Sequence, residues 1–279
     1  MQGTTADRSS YQFIRYEVDG RVAVITIDRP AVLNAIHPPA SEELRDAWRR
    51  VREDDEVWVA ILTGAGDRAF CAGMDLKWAA AHADERRRGT TPDLSVHFGG
   101  LVDAPSRFNL WKPVIAAVNG VAAGGGWEMA LACDIIVAAE TARFACPEVR
   151  RGLIAGAGGV HRLPRMLPRK VAMGLLLTGR FITAQEAYRL GLVNEVVPAG
   201  QALAAARRWA AEILEASPLA VQATKQAALL GLDRPLDEAI DERQYPAVRR
   251  LRASEDPIEG PLAFAEKRQP RWTPLSTRA

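Results

Sequence analysis

Two short, unbroken apolar runs, residues 57–63 and 114–118, set the tightest limit on how this chain can fold. Both are rich in β-branched side chains, and the first runs into a Gly64–Gly66 turn. A strand that is apolar at nearly every position has no face to give to water, so both faces must be covered. That predicts strands buried inside a sheet, with other layers packed on each side. The surrounding sequence alternates in kind. Residues 13–18 and 22–28 read as two strands joined at Asp19-Gly20, a hairpin signal. After Arg29-Pro30 a helix is predicted, with Ser41 as its N-cap, Glu42 and Glu43 in the first turn, and Leu44, Trp48 and Val51 on one face. Further strands are expected at 135–138, 142–145 and 192–197. Residues 120–126 read as a small-residue loop and 127–132 as the opening of a helix. Thr183-Ala184-Gln185-Glu186 is a capping box, and Gly191 is a stop for its helix. From residue 200 onward the pattern is almost wholly helical, at 201–215, 217–231, 236–245 and 257–267. The expected organisation is a loose leader over 1–10, an α/β core over 11–199 and a C-terminal helical region over 200–279.

Residues 77–100 stand apart, Ala-, Arg- and His-rich and then Gly-Thr-Thr-Pro-Asp. They predict a helix running out into a surface loop. The formal net charge of +2 gives no support to a nucleic-acid partner. No apolar run reaches the ~20 residues a membrane-spanning helix needs, and the polar start has no signal-peptide core. Cys71, Cys133 and Cys146 are odd in number and widely spaced. That argues against a disulfide framework or a zinc site and suits a reducing cytoplasm. His37, His82, His97 and His161 form no metal-ligand spacing and no nucleophile triad, and no metal is expected.

Three glycine-rich turns carry the chemistry. Ala123-Gly124-Gly125-Gly126-Trp127-Glu128 puts bare N–H groups at a helix start, where they suit a developing oxyanion. Cys146-Pro147-Glu148 leaves a strand and leads to Gly156-Ala157-Gly158-Gly159. Ala69-Phe70-Cys71-Ala72-Gly73-Met74-Asp75 is a third small-residue turn after a strand. Taken singly, each has an ordinary reading: a tight turn, a dipole-stabilised Glu128, a solvated Glu148.

Together these segments resemble the enoyl-CoA hydratase/isomerase, or crotonase, family. Residues 115–120, Gly124 to Gly126, Glu128, Cys133 and Asp134 read as its signature. Residues 70–76 are similar to its thioester-binding turn, and Pro147-Glu148 with Gly156 to Gly159 to its second catalytic segment. Leu176, Thr178-Gly179-Arg180, Ala187, Gly191-Leu192-Val193 and Ser217-Pro218 also match, so the resemblance runs from about Val22 to Trp272. The tail over 254–268 is similar to that of carnitinyl-CoA dehydratase, one branch of the family.

The resemblance implies a crotonase-like ββα spiral core with a C-terminal helical oligomerisation region. It implies an enoyl-CoA hydratase acting on an acyl-CoA substrate, with no cofactor beyond the coenzyme A that the substrate carries. Glu128 and Glu148 would be the acid/base pair, the N–H groups of Met74 and Gly125 the oxyanion hole, and Gly156 a water-positioning residue. Leu33, Ala35, Ala72, Lys77 and Lys267 would bind substrate, Lys267 from a neighbouring subunit of a homo-trimer or dimer of trimers. Carnitinyl-CoA dehydratase-like and enoyl-CoA isomerase chemistry are the enzymatic alternatives; retention of both Glu favours water chemistry. A catalytically idle acyl-CoA-binding subunit is the alternative of another class. Ala155 departs from the Pro common in the family. Met74 and Trp127 are bulkier than usual, and each either reshapes the acyl pocket or fills core volume.

Overall fold

The computed structural model describes residues 11–90, 98–102 and 109–276; the expected leader, residues 91–97 of the expected loop, and His97 lie outside the described residues. The first half of the chain builds β1 (Ile14–Asp19), β2 (Val22–Ile27), α1 (Pro38–Glu53), β3 (Val59–Gly64), β4 (Ala69–Cys71), α2 (Leu76–Ala81), α3 (Ala83–Arg87), β5 (Val114–Val118), β6 (Val121–Ala123), α4 (Gly125–Ala132) and β7 (Ile135–Ala139). Then come β8 (Arg143–Ala145), α5 (Gly159–Met166), α6 (Arg169–Thr178), β9 (Ile182–Thr183), α7 (Ala184–Arg189), β10 (Glu195–Val197), α8 (Ala202–Leu214), α9 (Pro218–Gly231), α10 (Leu236–Ala239), α11 (Pro246–Arg252) and α12 (Asp256–Glu266).

The protein is α/β. Among the described residues one sheet runs β1-β2-β3-β5-β7-β10 and a second runs β4-β6-β8-β9. The first is parallel from β2 to β10, with β1 antiparallel at its edge. Its strands are apolar on both sides because the sides meet different partners. Ala23, Ile25 and Ile27 of β2, with Ala60 and Leu62 of β3, face the main core. Val22, Val24, Val59, Ile61, Ile115, Ala117 and Val137 face the other way, onto Ala202, Ala205, Ala206 and Ala210 of α8. Those alanines recur at helical spacing, and their small side chains let the helix lie close to the sheet. In the helical tail, Ala223, Tyr245 and Val248 form a small cluster of their own.

Several local expectations are corrected. Helix α1 begins three residues before Ser41. His37 is its N-cap, its ring accepting from the Ala40 N–H, and Pro38 sits in the first turn. Burial and the nearby Arg29 hold the His37 imidazole below its usual range, which keeps that acceptor neutral. Ser41 is instead buried inside the helix, where its Oγ accepts from Gly99 N–H at 3.2 Å. The stretch expected to be a surface loop ends buried at Phe98, and Leu101 and Val102 just beyond it are also in the core. Strand β6 forms within the segment read as a loop. The predicted 236–245 helix is short, ending at Ala239, and α11 follows it unforeseen. The Thr183 capping box forms, with Glu186 N–H donating to Thr183 Oγ1 at 3.1 Å. Among the described residues no helix is long and apolar enough to cross a membrane.

The α8 contact gives a stability test. Ala206 has no exposed surface, so Ala206→Leu must push the helix off the sheet, at a cost of about 1–3 kcal/mol. Urea unfolding should show a lower midpoint at an unchanged slope, whereas an unshifted midpoint would mean that the α8–sheet spacing is slack.

Candidate active site

The parallel strands of the second sheet, β4, β6 and β8, end at one edge. In open α/β sheets the carboxyl ends of parallel strands are where ligands bind. Each strand here releases one of the glycine-rich turns. The chain leaves β4 into Ala72-Gly73-Met74, β6 into Gly124 and α4, and β8 into Cys146-Pro147-Glu148. The sheet therefore gathers three segments that lie some seventy residues apart along the chain, end to end.

The first two turns touch through their backbones. Gly73 has φ +87°, and a Cβ placed on it would stand 2.7 Å from the Ala123 carbonyl and 3.1 Å from the Gly125 nitrogen. Only glycine permits that approach. Met74 forms a bridge with Ile36 that uses its neighbours: Ile36 N–H donates to Gly73 O and Asp75 N–H to Ile36 O, both at 2.8 Å. The Met74 N–H is left out of this pairing. Gly125 is the first residue of α4, whose N-cap Gly124 offers no side-chain cap, so its N–H is free of the helix's own ladder. Two backbone donors thus stand on adjoining turns. The Phe98 ring packs against Gly125, its Cζ 2.1 Å from where a Cβ on that residue would be.

Glu128 is only 2% exposed on the first turn of α4, and its Oε1 accepts from Gly159 N–H at 2.8 Å. Burial raises its carboxyl from near 4.5 to about 7, and the charge of Glu148 adds to the rise. The Gly159 N–H, Arg162 and the Ala157 N–H oppose it. Glu148 is half-buried on the 3-10 turn Glu148–Arg151. Among the described residues its Oε2 is buried without a hydrogen-bond partner. Burial raises its pKa too, partly offset by its own backbone N–H and by Arg151.

Both carboxylates line one cavity of about 430 Å³. Of the other residues expected at the site, Leu33, Ala72, Met74, Gly125 and Gly156 also line it. Leu33 and Ala72 are joined directly, Ala72 N–H donating to Leu33 O at 3.0 Å. Gly156 reaches the cavity, but its N–H donates to the Ile154 carbonyl at 2.8 Å. Ala35 does not line the cavity, and its carbonyl accepts from Arg29 Nη1. Lys77 is exposed on α2, and Lys267 is exposed at the C-cap of α12; neither reaches the cavity of its own chain.

The two bulky departures part company. Met74 lines the cavity. Trp127 is 1% exposed and packs in the core, its ring 5.5 Å from that of Phe144. Trp78 stacks on His82 at 3.9 Å, outside the cavity wall. The sequence reading missed Phe98, Arg150, Arg151, Leu153, Ile154 and Phe181, all lining residues. Leu153-Ile154 left a signal, an apolar pair inside a glycine-flanked loop; Phe98 and Phe181 left none.

The family model described as enoyl-CoA hydratase/isomerase matches residues 17–274. A carnitinyl-CoA dehydratase from Proteus mirabilis is 43% identical over 269 residues, which cover 94% of this chain and 98% of that protein. An (E)-benzylidenesuccinyl-CoA hydratase from Thauera aromatica is 42% identical over 262 residues, covering 93% and 98%. The crystal structure of an enoyl-CoA hydratase from Mycobacterium marinum matches with a TM-score of 0.83 and 42% identity, covering 94% of this chain and 98% of that one.

The raised Glu128 pKa has a stability consequence. Unfolded, this carboxyl ionises near 4.5; folded, near 7. Between these values the folded state holds more protons, so stability falls as pH rises through the window. Below the window both states are protonated and the cost vanishes. Glu128→Gln removes this titration. Its stability relative to wild type should rise by up to about 3 kcal/mol between about pH 4.5 and pH 8, read by urea unfolding. A difference that does not change with pH would show that Glu128 ionises normally.

Proposed function

The chain belongs to the enoyl-CoA hydratase/isomerase family, and from that premise we propose that it adds water reversibly across the 2,3 double bond of a 2-enoyl-CoA thioester. The observation that carries this reading is the pair of carboxylates, buried Glu128 and half-buried Glu148, facing one cavity beside the backbone donors of Met74 and Gly125. A thioester carbonyl placed against those two N–H groups is polarised, and the negative charge that builds on its oxygen meets donors already in place. Such a donor contributes about 3–4 kcal/mol to the transition state. Ionised Glu128 takes a proton as water attacks Cβ, and the electron pair moves through Cα toward the carbonyl oxygen. Protonated Glu148 then delivers its proton to Cα as the carbonyl re-forms. The dehydration direction runs these steps backward. A base with a pKa of about 7 is matched to neutral pH, and burial shifts Glu148 toward the protonated form an acid needs.

Water chemistry is favoured over double-bond isomerisation because both carboxylates are present, where one suffices to move a proton along an allylic system. An idle binding subunit would have no use for two ionisable groups kept buried at a cost. The cavity lining also bears on the substrate. Among the described residues its aromatic rings are Phe98 and Phe181 and its acids are Glu128 and Glu148, so no further carboxylate is there to balance a trimethylammonium head. No cofactor is needed beyond the coenzyme A of the substrate. The three cysteines are buried thiols with no disulfide between them, which supports a reducing, cytoplasmic setting.

In an assay of enoyl absorbance, crotonyl-CoA should be hydrated with a higher kcat/KM than crotonobetainyl-CoA. Glu128→Gln and Glu148→Gln should each lower kcat by at least ~100-fold with the fold intact. Near-wild-type turnover in either variant would remove the acid/base assignment.

We also propose a homo-trimer or dimer of trimers. The last third exposes Leu232, Ile258, Leu262 and Phe264, the last 88% accessible, which is far more apolar surface than scattered single residues explain. Phe264 lies three residues from Lys267, so covering this helix with a neighbour would bring Lys267 close to another chain. Sedimentation should give a trimer or its multiple, and Phe264→Glu should weaken it; a stable, active monomer would end the shared-site reading.

A further inference from the structure

One wall of the cavity does not fit a plain hydrocarbon tail. Arg150 and Arg151 line it beside Leu153, Ile154 and Phe181. Both sit on the 3-10 turn that carries Glu148, and Arg151 stands three residues after it. In a 3-10 turn, side chains three apart project from the same side, and the Arg151 charge is felt at Glu148, whose pKa it lowers.

Several arginines elsewhere on this surface have acidic partners, Arg15 with Asp28 at 3.0 Å, Arg180 with Glu186 at 2.7 Å and Arg268 with Glu259 at 2.6 Å, while Arg165 and Arg249 bond backbone carbonyls away from the cavity. Arg150 and Arg151 have no acidic partner among the described residues. Their hydrogen bonds go to backbone carbonyls instead, Arg150 Nε to Thr178 O at 2.6 Å and Arg151 Nη1 to Pro147 O at 3.5 Å. The Thr178 bond holds Arg150 by Nε, which leaves both of its terminal nitrogens for another acceptor. Two unpaired guanidinium groups on the wall of a largely apolar cavity are poised for an anion.

We infer that the site prefers a 2-enoyl-CoA whose acyl group carries a second carboxylate, bound by Arg150 and Arg151. The inference rests on the hydratase reading and narrows its substrate class. A carboxylate on the acyl tail would be repelled by Glu148 once that group has given up its proton, and the two arginines offset that repulsion. Coenzyme A phosphates are the other source of negative charge that could reach this wall, so the test must separate the two.

The test compares the mono-CoA thioester of (E)-hex-2-enedioate with its methyl ester, equal in chain length and differing in the terminal charge. In wild type the acid should exceed the ester at least ~10-fold in kcat/KM, the scale of a hydrogen bond to a charged group. The ratio should fall part-way in Arg151→Gln and approach one in the Arg150→Gln/Arg151→Gln double variant. An ester as good as the acid would overturn the inference. So would a double variant in which both thioesters weaken in parallel and the ratio stays, because then the arginines meet the coenzyme A phosphates. Calorimetry with the saturated acid and ester thioesters reads the same ratio without turnover. Tight, arginine-dependent acid binding without hydration would refute the hydratase reading and leave the anion site standing.

Discussion

The backbone of the turn after β4 lies against the start of α4, with no room for a side chain on Gly73, and the rest of the site depends on that contact. It sets the Met74 and Gly125 N–H groups side by side. It also fixes where α4 begins, and so where Glu128 sits one turn later. The contact is in turn held from below by parallel pairing of β4 with β6 and β6 with β8. The Met74 and Gly125 turns, Glu128 and Glu148 are therefore all positioned from one sheet edge. A shift of any of these strands would misplace all of them together.

The two carboxylates are chemically alike and are held differently. Glu128 lies near a helix N-terminus, and a helix dipole favours its charged form by at most ~2 kcal/mol. Its pKa nevertheless rises, so loss of water outweighs the dipole, the Gly159 hydrogen bond and Arg162 together. Glu148 is nearer solvent, and one of its oxygens lacks a partner among the described residues. A carboxyl bonded by a backbone N–H is held in one orientation, as a group that steers a water must be. A carboxyl with an unmatched oxygen is free to hand over a proton. Each buried charge lowers stability, and the apolar packing on both faces of the first sheet compensates.

Much of this was legible in the sequence, and what was not has physical reasons. The unbroken runs predicted buried strands, because period-two burial with two covered faces leaves no polar alternation to find. Pairing, however, is a non-local fact. The glycine-rich turns could be read one by one, but β6 was hidden inside one of them, since Val121–Ala123 is three small residues among glycines. Without β6 there is no second sheet, and the meeting of the three turns had to come from family resemblance. The start of α1 was misread because Ser41 has the better capping side chain, while His37 caps through an imidazole nitrogen and two prolines follow it. Met74 and Trp127 were indistinguishable by type. Only placement separates a half-buried Met74 on the cavity wall from a Trp127 packed against Phe144.

The site also divides chemistry from selectivity along the chain. Gly125 and Glu128 are buried at the start of α4, and Met74 is half-buried in the turn after β4, so substitution there disturbs packing as well as the cavity. Glu148 is the first residue of the turn beyond β8. Directly after it, Val149, Arg150, Arg151, Leu153 and Ile154 are exposed on their solvent side while several of them face the cavity. Side chains in that position contribute little to folding, and changing them costs little stability. The segment from 149 to 154 can therefore exchange apolar for charged side chains without moving the donors or the carboxylates. Relatives that share the same catalytic frame can then act on different acyl groups, because the frame is fixed by the sheet and the wall is supplied by an exposed turn.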